Sequence, residues 1–351
     1  MSIAQEAGTL TFGVFDHLDR GSVPLPEHYE NRLKLAEVYD REGFHAYHIA
    51  EHHSTPLGMA SAPGIFLAAV AQRTRRLRFG PLVYTLSLTH PLRLIEEICM
   101  LDQMSQGRLE LGVGRGSSPY EMSYFGVQAQ ESGKRYIEAY EVIMQGLTSS
   151  VLNFQGSHYT FDNVPMELTC VQKPHPPIWY GLSAPAAAPW AAEHGVNIVC
   201  NGPARPVHDI TDRYREVWSQ HHGGGNLRMP FLGLGRHIVV AETHAEAYAI
   251  GERGFARWYN SLQHLWRAHG NPMKSYPIPE DFSLATAGGM VIVGTPEQVT
   301  EQLHAEVDKA GATYVLTRFA FGDLSYEESR RSLDLFCEQV MPQFAAQPCV
   351  A

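Results

Sequence analysis

Three histidines and a glutamate lie close together in the stretch HIAEHH. His48, Glu51 and His52 have the H-x-x-E-H spacing of one class of zinc hydrolases, in which a helix presents both histidines to the metal. Here the aromatic and β-branched residues of 44–50 follow Gly43, which ends a predicted helix, so the segment is predicted to be a strand. On a strand, His48 and His52 would lie roughly 13 Å apart, at about 3.3 Å per residue. They could not share one zinc ion, and we predict no metal site.

Strand-like and helix-like segments alternate along almost the whole chain. Several have clear boundaries, such as the T-x-x-Q capping box at 295–298, which predicts the start of a helix with proline in its first turn. The predicted strands span residues 9–15, 44–50, 77–84, 108–113, 177–182, 196–200, 235–241 and 314–319. The predicted helices span residues 27–42, 62–74, 91–105, 132–148, 185–194, 207–220, 245–269, 295–309 and 326–341.

Eight strand–helix units in 351 residues predict one domain, 1–351, folded as a (β/α)8 TIM barrel. An open, doubly wound sheet is the alternative. The glycines at 112–118 lack the G-x-G-x-x-G spacing of a dinucleotide-binding turn, and Pro119 follows them. Two segments depart from the repeat: a hairpin excursion near 152–161, and 270–289, which is either a mobile lid or a passive insertion.

The barrel prediction gives the histidines a position. Glu51, His52 and His53 come where the second strand ends, and barrel active sites lie at the carboxyl ends of the strands. Two imidazoles beside a carboxylate could transfer protons or orient a ligand. A purely structural cluster on a loop is equally compatible with this position, so the residues alone leave both interpretations open.

Composition excludes several classes of protein. A formal net charge of -10 disfavours nucleic acid and anionic membranes as the main partner. No apolar run is long enough for a transmembrane helix, and the N-terminus resembles no signal peptide. The five cysteines are scattered and form no C-x-x-C pair, which is typical of reduced thiols. We expect a cytoplasmic protein.

Several motifs in order resemble the bacterial luciferase-like family of flavin-dependent monooxygenases. They are GFHAYHIAEHH, LRFGPLVYTLSLTHPLR, LDQMSQGRLELGVGRG, PPIWYGLSAPAAAPWAAEHG and VGTPEQVTEQL. Each is weak alone, but the set is specific and covers nearly the whole chain.

The resemblance implies a (β/α)8 barrel that binds reduced flavin, usually FMN, at the carboxyl ends of its strands. A separate reductase generally supplies the reduced flavin. It reacts with O2 to give a C4a-peroxide that attacks a small organic substrate. By the same resemblance, His52 is the acid/base group beside the flavin, and His53 supports it.

The resemblance also implies a cofactor site. A cis peptide bond lies under the flavin ring in this family, and the matching residues here are Leu82 and Val83. Luciferases have smaller residues there. The phosphate is held by the arginine after the fourth strand, which is Arg115, and by the amides of Ser183 and Ala184. The chemistry agrees, because arginine offers a planar set of donors to an anion. Luciferases have an acidic residue at the position that matches Ser183.

Two alternatives on the same barrel remain. One is a deazaflavin-dependent dehydrogenase, which would need no oxygen, and the other is a catalytically silent flavin-binding protein. The resemblance further implies a homodimer through helices 62–74 and 92–104, which are unusually apolar for the outside of a barrel. Arg236 and His237, in the seventh predicted strand, could reach the pocket, but a core or surface role fits them equally well. Three aromatic residues after Arg115 could line a substrate cavity, although aromatic loop residues more often simply pack: Tyr120, Tyr124 and Phe125.

Overall fold

The computed structural model describes residues 10–223, 227–271, 273 and 278–345. The first strands in this part of the chain are β1 (Thr11–Asp16), β2 (Ala46–Ile49), β3 (Arg78–Pro81), β4 (Tyr84–Thr85), β5 (Leu111–Gly114) and β6 (Val151–Gln155). They are followed by β7 (Thr160–Pro165), β8 (Ile178–Gly181), β9 (Asn197–Cys200), β10 (Leu232–Val240), β11 (Val291–Gly294) and β12 (Tyr314–Arg318).

The helices alternate with these strands. They are α1 (Leu25–Glu42), α2 (Pro63–Arg73), α3 (Pro91–Ser105), α4 (Pro119–Tyr124), α5 (Ser132–Thr148) and α6 (Ala188–Glu193). Further along the chain come α7 (Ala204–His222), α8 (His244–Ala268), α9 (Phe282–Ala287), α10 (Pro296–Ala310) and α11 (Tyr326–Leu335). Most of the predicted segments fall on observed elements, with ends that differ by a few residues.

The main sheet is parallel and follows the order β3-β2-β1-β12-β10-β9-β8-β5-β4. Its two ends belong to one interrupted strand, because only Leu82 and Val83 separate β3 from β4. Phe79 of β3 also forms a bridge with Leu109, just before β5. The sheet therefore closes into a barrel covered by helices, and the predicted (β/α)8 fold is confirmed.

The third strand turns at a cis peptide bond between Leu82 and Val83. Strand β5 passes so close to this corner that there is no room for side chains at its glycines. A Cβ atom on Gly112 would lie 2.2 Å from the backbone oxygen of Pro81, and one on Gly114 would lie 2.5 Å from Cγ2 of Val83. The alternating glycines of GVG thus permit close packing of strands, and they do not form a dinucleotide-binding turn.

Local sequence signals account for several helix ends. Gly43 ends α1 with φ of 84°, a left-handed conformation that favours glycine. The predicted capping box at the start of α10 is complete, since Thr295 caps the amide of Gln298 and the Gln298 side chain returns to the amide of Thr295. That prediction is confirmed.

One strand was not predicted. Strand β11 pairs with residues 237–240 of β10 and joins α8 and α9 in a separate apolar cluster that includes Phe255, Trp258 and Phe282. A run of four apolar residues is too short to identify as a strand from its pattern alone. The cluster covers one side of the barrel end at which β10 finishes.

The structure describes all of the first departure from the repeat and part of the second. At the predicted excursion, β6 and β7 form an antiparallel hairpin. The predicted lid, 270–289, lies partly outside the described residues. Its described end contains α9, whose Phe282 and Ala285 are buried. Whether the segment acts as a lid stays a prediction.

Two further findings concern membrane spans and cysteines. Within the described ranges, no helix is both long and apolar enough to cross a membrane. The cysteines at 99, 170, 200 and 337 are free thiols, and Cys349 lies outside the described residues.

Candidate active site

The glutamate and two histidines that follow β2 form a hydrogen-bonded network. Nδ1 of His52 lies 3.1 Å from Oε1 of Glu121, and Nε2 of His53 lies 2.9 Å from Oε1 of Glu51. The backbone amide of His53 donates to Oε2 of Glu121 at 3.2 Å. Both carboxylates are buried, so each imidazole has an acidic partner largely shielded from water.

Glu51 connects this network to the corner of the third strand. Its second oxygen, Oε2, accepts a hydrogen bond of 3.1 Å from the amide of Thr85, two residues after the cis bond. The side chain of Leu82 is buried among apolar residues of the barrel interior, with Phe15 and Ala50. The histidines therefore lie beside an apolar surface at the barrel mouth.

A second histidine layer packs against His52. The ring of His17, which follows β1, stacks on that of His52 with centroids 5.8 Å apart. Trp258 of α8 donates its indole hydrogen to Nδ1 of His17 at 3.3 Å. Burial lowers the pKa of His17 well below its usual range, and the nearby Arg318 cation lowers it further. His17 is therefore neutral, with its remaining proton on Nε2.

Arg318, the last residue of β12, brings a buried positive charge to the same mouth. Its guanidinium lies over the ring of Phe15, 4.7 Å from the centroid. Its Nη2 donates to Oδ1 of Asn201, just after β9, at 2.8 Å. This arginine was not predicted, because one arginine at the end of a strand carries no distinctive pattern.

The predicted phosphate-binding residues lie on two neighbouring strand ends. Arg115 follows β5 and Ser183 follows β8, and these two strands pair directly. Arg115, Ser183 and Ala184 are all exposed, and the Arg115 side chain makes no hydrogen bond or ion pair with any residue that the structure describes. A Cβ atom on Gly181 would meet open space. The structure thus leaves a guanidinium and backbone amides accessible at one side of the mouth.

Three other polar residues considered in the sequence analysis are fully buried. His48 lies deep in the barrel against Trp179, with ring centroids 4.8 Å apart, and burial lowers its pKa to about 3. Of the roles left open for Arg236, the structure supports a core role. Its guanidinium pairs with Glu306 of α10 and is fully buried outside the barrel. His237, the next residue, packs against Trp258 at 4.4 Å.

The aromatic residues after Arg115 form one wall beside the histidines. Tyr120 stacks on His269 with centroids 4.1 Å apart and planes 5° from parallel. Tyr124 bonds to the same imidazole through its hydroxyl at 3.1 Å, and Phe125 packs edge-on against His53 at 4.6 Å. Tyr124 and Phe125 remain about half exposed. This wall ties α4 to the end of α8.

Sequence reasoning missed Glu121, which holds both histidines. A signal was present: Ser118-Pro119-Tyr120-Glu121 has the S-x-x-E pattern that starts a helix, and Pro119 fits its first turn. The structure has helix α4 there, and Ser118 accepts a hydrogen bond from the amide of Glu121. The pattern locates the helix, but it does not reveal what the carboxylate contacts.

The donors and surfaces at the mouth fit a flavin mononucleotide. Arg115 and the amides at 183 and 184 can bind a phosphate, as charge-assisted donors do. The corner at Leu82 and Val83 is apolar, with Val83 partly exposed, and the histidine network lies beside it.

A parallel barrel with a polar network at the carboxyl ends of its strands has the architecture of a (β/α)8 enzyme. The chain belongs to the luciferase-like monooxygenase family, which it matches over residues 8–314. The predicted resemblance is confirmed, and the protein is an enzyme of this flavin-dependent family.

Similar proteins match nearly the whole length of the chain. The protein is 39% identical over 324 residues to 4-hydroxyprotoasukamycin monooxygenase of Streptomyces nodosus subsp. asukaensis. The match covers 89% of this chain and 86% of that relative. The structure of monooxygenase RslO1 from Streptomyces bottropensis matches with a TM-score of 0.85 and 28% identity, over 96% of this chain and 100% of that one. The oxygenating constituent of 3,6-diketocamphane monooxygenase from Pseudomonas putida, solved with FMN, matches with a TM-score of 0.75 and 20% identity, over 95% and 99% of the two chains. This last likeness shows the fold alone.

Proposed function

We propose that the protein is a monooxygenase that uses reduced FMN and O2 to oxidise a small organic substrate. One observation carries the proposal: Glu51 joins the His52–His53 segment to the strand corner at Leu82 and Val83. Acid/base groups therefore lie next to the surface that would hold the flavin ring. When bound, reduced FMN supplies two electrons and reacts with O2.

The chain's own residues have separate tasks in this proposal. Arg115 and the amides of Ser183 and Ala184 bind the phosphate, while Leu82 and Val83 support the ring and exclude water from one of its faces. His52 moves a proton at its free ring nitrogen, Nε2. His53, whose Nε2 is committed to Glu51, supports the loop. A separate reductase would supply the reduced flavin.

Rapid mixing tests this function. Protein loaded anaerobically with reduced FMN is mixed with oxygenated buffer, and the return of oxidised flavin is followed by its visible absorbance. We expect a delay relative to free reduced FMN, because a bound flavin is shielded from water. Oxidation at the rate of free FMN would contradict the proposal. Substrate oxidation under argon with a deazaflavin would identify the dehydrogenase instead.

The phosphate site makes a specific prediction. Hydrogen bonds to charged groups contribute about 1.5–3 kcal/mol, so Arg115→Ala should weaken FMN binding roughly 10- to 100-fold. Riboflavin has no phosphate, and its affinity should not change. Fluorescence titration with both flavins measures the difference. Arg213→Ala, which removes an exposed arginine from α7, is the charge control. Equal losses for FMN and riboflavin would show that Arg115 does not bind the phosphate.

We also propose a homodimer formed through α2 and α3. Ile65 on α2 is 78% exposed, and Met100 and Met104 on α3 are 52% and 46% exposed. Exposed apolar groups on adjacent helices are typical of an interface. The double variant Ile65→Glu/Met100→Glu should therefore sediment as a monomer. Ile137→Glu, at an exposed position on α5, should leave the dimer intact. A monomeric parent protein would contradict this assembly.

A further inference from the structure

We propose that Glu121 is a positioning residue that fixes the tautomer and the orientation of the His52 ring. The role assigned to His52 itself rests on the proposed function, but the geometry of the pair does not. Glu121 is buried, and its two oxygens lie 3.1 Å from Nδ1 of His52 and 3.2 Å from the amide of His53.

The Glu121 carboxylate does not make the capping hydrogen bond that the residue at its helical position makes in two other helices. In α10 and α11, the residue at the third helical position returns its side chain to the amide of the capping residue, Thr295 or Ser325. Glu121 holds the same position in α4, and Ser118 caps its amide at 3.3 Å. Its own carboxylate, however, bonds to the two histidines. The helix therefore gives up half of a capping box, and the carboxylate holds the loop after β2.

The hydrogen-bond partners then determine which ring nitrogen of His52 carries the hydrogen. An ionised carboxylate can only accept, so Nδ1 of His52 must carry a hydrogen. In the neutral ring this leaves a lone pair on Nε2, which is the atom free to take a proton from a ligand. His17 stacks on a face of the His52 ring. Because its Nδ1 accepts the indole hydrogen of Trp258, the His17 ring is neutral and adds no charge. Glu121 is thus the charged group that directs His52.

This arrangement makes Glu121→Gln more informative than an alanine variant. A glutamine side chain has the same size but only one acceptor oxygen. The amide of His53 can only donate, so it retains that oxygen and leaves the NH2 group facing Nδ1 of His52. All groups are then satisfied only if His52 moves its hydrogen to Nε2. An isosteric substitution should therefore invert the tautomer without disturbing the packing of α4.

Ring-nitrogen NMR of histidine-labelled protein, without flavin and at a pH where the rings are neutral, tests this inference. The chain has 18 histidines, so the His52 signals are assigned by their loss in His52→Gln. We expect the hydrogen on Nδ1 in the parent and on Nε2 in Glu121→Gln. Glu51→Gln is the matched control: it alters the partner of His53 and should leave the His52 tautomer unchanged.

The outcomes separate this inference from the proposed function. The Nδ1–H tautomer in both the parent and Glu121→Gln, or the Nε2–H tautomer in the parent, would overturn the positioning role whatever the protein catalyses. Inversion that is confined to Glu121→Gln, with FMN affinity equal to that of the parent, would establish it. Failure of the flavin-oxidation test would remove the proposed function but leave the tautomer result standing.

Discussion

Replacing His52 by alanine should lower oxygenation of an organic substrate by about 10²- to 10⁴-fold, the range typical of a lost general acid or base. The two neighbouring histidines are engaged by other partners. His17 is neutral and its Nδ1 is occupied by Trp258, while Nε2 of His53 is occupied by Glu51. Product formed per reduced FMN, in single turnovers with aldehydes and ketones as trial substrates, measures the loss. FMN should still bind.

His53→Ala is the matched variant for this experiment, because it removes the same side chain from the next position. Its loss should be smaller, since His53 is held by Glu51 and, in the proposed function, supports the loop. Glu121→Gln should lower product formation about tenfold or more, and the double variant with His52→Ala should be no worse than His52→Ala alone. Parental activity in His52→Ala would remove His52 from the reaction.

Much of this fold could be predicted because its signals are local. Each strand–helix unit repeats the same alternation, and residues such as Gly43 and Thr295 mark helix ends within a few positions of the chain. Parallel strands in a barrel bring their carboxyl ends to one face. The position of His52 and His53 at that face therefore followed from counting units, and the cis bond lies between the residues matched to the family motif.

The network around the histidines could not be predicted in the same way. Glu121 lies 69 positions from His52, and the contact depends on how α4 packs after the glycines of β5. Strand β11 was equally hard to predict, because it is defined by its pairing with residues 237–240 of β10. Contacts of this kind depend on the closed barrel, and a single sequence contains no local pattern for them.

Arg236 and His237 illustrate a second limit. Successive residues of a strand point to opposite sides, so a shift of one position exchanges the pocket side and the helix side. The sequence predicts the strand but not which of the two residues points inward. In the structure, Arg236 reaches Glu306 on α10, while His237 packs with Trp258 on the other side. A charged pair is consequently buried between barrel and helix.

Removing Glu306 alone should destabilise the protein by about 3–5 kcal/mol, because it leaves a buried, uncompensated guanidinium. Nη2 and Nε of Arg236 lie 2.6 and 3.2 Å from Oε2 of Glu306, and burial already lowers the pKa of the arginine against the opposing effect of that carboxylate. Glu306→Leu should therefore lose far more free energy of unfolding in urea than Glu301→Leu, which replaces an exposed glutamate on the same helix. The double variant Arg236→Met/Glu306→Leu should recover most of the loss, since an apolar pair needs no desolvation of charge. Equal losses for Glu306→Leu and Glu301→Leu would mean that water reaches the pair and that the barrel–helix contact is looser than the structure indicates.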